Sequence, residues 1–118
     1  FTAVVDSAGV CLFTTFGIGV PQFTKFCNAA TGTSMSDEAL LEAGDRIYNL
    51  ERVFNLKAGI DPDQDKLPKR MLEEPLPDGP YKGAVSKLPK MLPEYYEVRG
   101  WGTDGIPTEA KLQSLGLA

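Results

Sequence analysis

The chain has 118 residues, 42% of them hydrophobic, which is enough for a packed core and too much for a tail or linker. Lys and Arg number 12 against 16 Asp and Glu, and the resulting net charge of −4 argues against nucleic acid as a partner. No apolar run approaches the roughly 20 residues that a bilayer-spanning helix needs and no stretch resembles a cleaved export signal, so the expectation is a soluble, cytoplasmic protein without a membrane partner.

In chain order, Phe1 to about Ala8 reads as the end of a helix stopped by Gly9. Val10 to Phe16 is an apolar run rich in Phe and Thr whose periodicity fits helix or extended chain equally. Gly17-Ile18-Gly19 turns, and Pro21 opens a second helix in which Phe23, Phe26, Cys27 and Ala30 repeat like a buried face, before Gly32 ends it. Ser36 is an N-cap, with Asp37 and Glu38 where a helix dipole favours negative charge. The long helix that follows carries Leu40, Ala43, Ile47, Leu50 and Phe54 as its apolar stripe, pairs Glu42 with Arg46, and closes at Gly59.

From Ile60 to Ser86 the composition turns to Pro, Gly and charge, with one short helix expected over 68–73. Leu76, Pro77, Pro80 and Tyr81 give this loop apolar feet that predict anchoring on other parts of the protein. Half of the 12 basic residues fall between positions 66 and 90, diluted by Asp61, Asp63, Asp65, Glu73 and Glu74, so the segment reads either as a docking patch for an acidic redox protein or as an ordinary mixed surface. Ser86 caps a further helix, which Pro93 is expected to kink or restart and Gly100 to stop. Trp101 packs back, Thr103-Asp104-Gly105 turns, and Thr108 caps a last short helix with Leu112 and Leu115. The expected fold class is all-α.

Two cysteines and no histidine limit the chemistry: these side chains alone complete neither a four-cysteine iron–sulfur site, nor a histidine-based zinc site, nor a histidine triad. The absence of a start methionine or cap ahead of Phe1-Thr2-Ala3-Val4-Val5 adds to the expectation of a fragment. The stretch with most chemical potential is Asp6-Ser7-Ala8-Gly9-Val10-Cys11-Leu12-Phe13. It places an acceptor-only carboxylate, a bare backbone and a soft thiol within one or two helical turns, a set that suits a flat heterocycle beside a metal centre. Each residue also has an ordinary reading: Asp6 as a cap, Gly9 as a helix stop, Cys11 as a small buried hydrophobe.

Asp6 to Cys11 resembles the Asp-x-x-Gly-Leu-Cys pterin motif of the tungsten-containing aldehyde ferredoxin oxidoreductases, with Val10 in place of leucine. Gly44 to Asn55 looks like that family's long helix, Leu67-Pro68-Lys69-Arg70 with Glu74 to Pro80 like the loop after it, and Tyr95 to Trp101 like its closing segment. The resemblance implies that residues 1–118 are the multihelical C-terminal domain of a larger enzyme that oxidises aldehydes to carboxylic acids with ferredoxin as electron acceptor. It implies further that Asp6, Gly9, Val10 and Cys11 contact a tungsten bis-pterin cofactor and that Cys11 ligates a 4Fe-4S cluster in the full-length enzyme. Neither group is expected to be held by this fragment alone, whose first partner is the remainder of the same enzyme. Two other readings stand beside this one: a non-catalytic helical interaction module, and an exported domain with Cys11 and Cys27 joined in a disulfide.

Overall fold

Six α-helices and two short 3₁₀ segments make up the regular structure of residues 1–118 in the computed structural model, with no sheet and one isolated bridge between Trp101 and Pro107. The all-α expectation holds. The helices are α1 (Thr2–Ser7), α2 (Val20–Thr31), α3 (Asp37–Lys57), α4 (Lys69–Glu73), α5 (Leu88–Arg99) and α6 (Glu109–Ser114). The chain divides into two compact units, one of residues 1–52 with 112–118 and one of residues 53–111.

Short-range chemistry sets where the helices stop. The N–H of Gly100 meets the carbonyl of Glu97 at 2.9 Å and that of Trp101 meets Tyr96 at 2.9 Å, the paired closure of a helix end that turns through a left-handed residue, here Gly100 at φ +71. The same pairing ends α3 at Gly59 and α6 at Gly116. Helix starts are set as locally: the Ser36 hydroxyl accepts from the Ala39 N–H at 3.2 Å, and the Thr108 hydroxyl accepts from the Lys111 N–H at 3.2 Å.

In the first unit the core is Val4 and Val5 of α1, Phe23 of α2 and Leu40 of α3, with Phe1, Cys27, Met35 and Ile47 packed against it. Phe1 meets Phe23 edge to face at a ring separation of 5.6 Å. Asn28 ties α2 to the following loop by donating to the Met35 carbonyl and accepting from the Met35 N–H, both at 2.9 Å. Arg46 donates to the carbonyl of Leu115 at 2.8 Å and pairs with Glu42 at 3.1 Å, which fastens the C-terminal residues to α3. The predicted stripes are only partly covered: Phe26 is 60% exposed and Leu50 55%.

The second unit is built around the buried Tyr96 and Trp101, whose rings lie 6.0 Å apart. The Tyr96 hydroxyl donates to the Asp65 carboxylate at 2.6 Å, and this short, charge-assisted bond holds the loop after α3 onto α5. Further along, Leu76 and Ala84 pair through the backbone, and the Ser86 N–H reaches the Met71 carbonyl at 2.8 Å. These polar ties anchor the loop, whereas the apolar feet assigned that role, Leu76, Pro77, Pro80 and Tyr81, are exposed. Phe54, the last residue of the predicted α3 stripe, is also exposed.

Helix α5 continues through Pro93 and does not restart there. The hydrogen bond lost to the proline ring is the one to Pro89, in the exposed first turn, where the carbonyl is open to solvent and no buried acceptor is orphaned.

Candidate functional site

The stretch from Asp6 to Phe16 takes its shape from the end of α1. Gly9, at φ +69, carries the chain out of the helix while its N–H bonds the Asp6 carbonyl at 2.9 Å and the Val10 N–H bonds the Val5 carbonyl at 3.2 Å. Cys11, at φ −59 and ψ 127, follows as the N-cap of a 3₁₀ segment, Leu12–Phe16, and its carbonyl accepts from both the Thr14 N–H (3.0 Å) and the Thr14 hydroxyl (2.8 Å). The run that periodicity left open is therefore a tight 3₁₀ turn.

The geometry separates the ordinary readings of this motif from the chemical ones. Asp6 lies in the last turn of α1, where the helix dipole disfavours a negative charge, and an N-cap role belongs to the opposite end of a helix. Cys11 is an exposed free thiol and not a buried hydrophobe. Gly9 does stop the helix, and nothing lies within 4 Å of the place a Cβ would occupy, so its backbone is open to a ligand. Cys27 packs against the core cluster as its helical position predicted, and neither cysteine is bridged, which removes the disulfide reading.

The aromatic surface beside the motif was not singled out in the sequence. Phe13 and Phe16 stack at 5.8 Å with an interplanar angle of 14° and are 73% and 87% exposed, with Leu12 also open to solvent. Their spacing of three residues is one turn of a 3₁₀ helix and would have paired them once that geometry was assumed. Elsewhere, a groove within the second unit between Met71, Pro75, Leu76, Tyr81 and Val85 offers no cysteine or histidine, and its Arg70 lies 4.0 Å from Glu74. No three His, Cys, Asp or Glu side chains gather into a metal site, and no helix is long and apolar enough to cross a membrane.

The sequence matches the family described as aldehyde ferredoxin oxidoreductase, domains 2 and 3, over residues 1–117. The chain belongs to the aldehyde ferredoxin oxidoreductase family. It is 56% identical over 117 residues to a tungsten-containing aldehyde ferredoxin oxidoreductase of Pyrococcus horikoshii, covering 98% of this chain and 19% of that protein. The enzyme of the same description from Pyrococcus abyssi is also 56% identical over 117 residues, with the same coverage of 98% and 19%. That of Pyrococcus furiosus is 54% identical over 118 residues, covering 99% of this chain and 20% of the relative. The chain thus spans about a fifth of the length of these relatives. The helical architecture is in keeping with family membership, and Asp6, Gly9, Val10 and Cys11 all lie inside the matched segment.

Proposed function

We propose that residues 1–118 are the C-terminal helical domain of a cytoplasmic oxidoreductase that converts aldehydes to carboxylic acids and passes the electrons to ferredoxin. The observation that carries this reading is the placement of Asp6: an exposed carboxylate kept at the unfavourable end of α1, three residues before a left-handed glycine and five before an exposed thiol. Local rules are broken where a side chain serves something other than folding.

The residues fit the tungsten named for the relatives and the pterin and cluster that the resemblance implies. When bound, a tungsten bis-pterin supplies the redox chemistry on the aldehyde and a 4Fe-4S cluster carries the electrons away. Asp6 has two acceptor oxygens for adjacent ring N–H donors of a pterin, and the open backbone at Gly9 and Val10 lets the ring lie against the main chain. Cys11 offers iron a soft thiolate. Leu12, Phe13 and Phe16, exposed in this chain, keep water from that region once the remainder of the enzyme covers them. The other cluster ligands and the substrate pocket belong to that remainder, so these 118 residues alone bind neither group.

The test is Asp6→Asn in the full-length enzyme. The amide keeps the volume but replaces one acceptor by a donor, so pterin content per polypeptide should fall by at least tenfold. The melting temperature of the helical domain should stay level or rise, because a charge opposed to the dipole has gone. Unchanged pterin content would sink the assignment of Asp6.

A further inference from the structure

Gly44 lies buried in the middle of α3, where glycine is the least helix-favouring residue after proline. Its reason is a close approach: a Cβ there would stand 2.7 Å from Cγ2 of Val4 and 3.8 Å from the backbone nitrogen of Phe1. Carbon atoms in good contact are about 3.5–4.0 Å apart, so alanine would demand roughly 1 Å of movement. Val4 cannot supply it alone, because its β-branched side chain is stiff at χ1 and packed among Val5, Phe23 and Leu40. The relief has to come from α1 as a body.

What α1 carries makes that movement matter. Asp6 is two residues beyond Val4 on the same helix, and the hydrogen bonds from Gly9 to Asp6 and from Val10 to Val5 tie the approach to Cys11 rigidly to the helix end. We infer that Gly44 is a positioning residue for the cofactor-facing segment: it sets how deeply α1 seats on α3, and so where Asp6 and Cys11 stand against the pterin and the cluster. The inference rests on the function proposed above for Asp6 and Cys11. A displacement of about 1 Å in positioning groups is enough to lower rates by two orders of magnitude.

The experiment compares four variants of the full-length metallated enzyme: Gly44→Ala, Val4→Ala, the double variant, and Cys11→Ser. Readouts are iron and pterin content, the electron paramagnetic resonance spectrum and reduction potential of the cluster, kcat/KM, and the melting temperature. Gly44→Ala should alter the cluster spectrum, lower pterin content and cut kcat/KM by tenfold to a hundredfold. The double variant, in which the methyl group that blocks the notch is gone, should return towards the parent in all of these. A parental spectrum and pterin content in Gly44→Ala, or a double variant no closer to the parent than Gly44→Ala, would overturn the inference. If Gly44→Ala does not fold, the double variant decides alone: a parental spectrum supports it, while failure of both to fold assigns Gly44 to stability and overturns it. Cys11→Ser separates the two levels, because an intact cluster there removes the site itself, whereas loss of the cluster beside an indifferent Gly44→Ala removes only the positioning role.

Discussion

Asp65 and Asp6 are carboxylates in the two different units, and the chain treats them in opposite ways. Asp65 is half-buried and takes a 2.6 Å hydrogen bond from Tyr96, so it fastens a loop to a helix. Asp6 is exposed at the negative end of a short helix and stabilises nothing nearby. The same division runs through the aromatic residues: Tyr96 and Trp101 are inside the second unit, while Phe13 and Phe16 stack on the surface of the first. A group that builds the fold is buried and partnered; under the function proposed above, a group left open in a place that costs stability serves a contact outside these 118 residues.

The comparison breaks most readily at two phenylalanines. Phe23 is 2% exposed, and Phe23→Ala should lower stability in chemical denaturation by about 3–5 kcal/mol, the usual cost of emptying an aromatic core site. Phe16 is 87% exposed, and Phe16→Ala should shift the isolated chain by no more than about 0.5 kcal/mol. In the full-length enzyme the same change should cost iron content. A Phe16 variant indifferent in both contexts would show that its exposure is ordinary.

A smaller effect is expected at the tyrosine. Tyr96→Phe keeps the ring and removes the donor to Asp65, which should cost about 1–3 kcal/mol, and hydrogen exchange should quicken over residues 60–66 before it does in α5. Uniform quickening across the second unit would mean that the bond supports the core and not the loop.

The smallest effect is a titration. The backbone N–H of Glu38 and, after it, the Ser36 hydroxyl hold the Glu38 carboxyl below its ordinary value of 4.5. Because the folded value is the lower one, the contribution is present above 4.5 and is lost as pH falls through the depressed value. Glu38→Gln should therefore melt slightly below the parent at neutral pH and merge with it in acid. A constant gap across that range would exclude the ionised carboxylate as its cause.

Much of the fold was legible because its punctuation is local. A glycine that must be left-handed, as at 32 or 100, or a hydroxyl at a helix start, as in Ser36 and Thr108, does its work within four residues. Periodicity was less informative about Phe26, Leu50 and Phe54, because an apolar stripe states that something covers a face without saying whether the cover is part of the same chain. That Pro93 sits inside a continuous helix has a related reason: the cost of the proline depends on which carbonyl loses its partner, and that one is exposed. Of the site, the motif residues were legible as types, and the helix stop at Gly9 already put Asp6 in a last turn; that Cys11 is exposed and that Gly44 is a notch for Val4 became visible only in the folded chain.

The central claim is that Cys11 serves a cluster while Cys27 serves the core, and iron content decides it most directly. Full-length Cys11→Ser and Cys27→Ser enzymes should be purified anaerobically and their iron per polypeptide measured beside their melting temperatures. Cys11→Ser exchanges an exposed soft sulfur for a hard hydroxyl, so iron should be lost or the cluster trimmed, with little change in the stability of the helical domain itself. Cys27→Ser puts a hydroxyl against the apolar cluster and should cost about 1–3 kcal/mol of stability with iron content unchanged. Full iron in Cys11→Ser, with stability unchanged, would contradict the account and return Cys11 to an ordinary surface thiol.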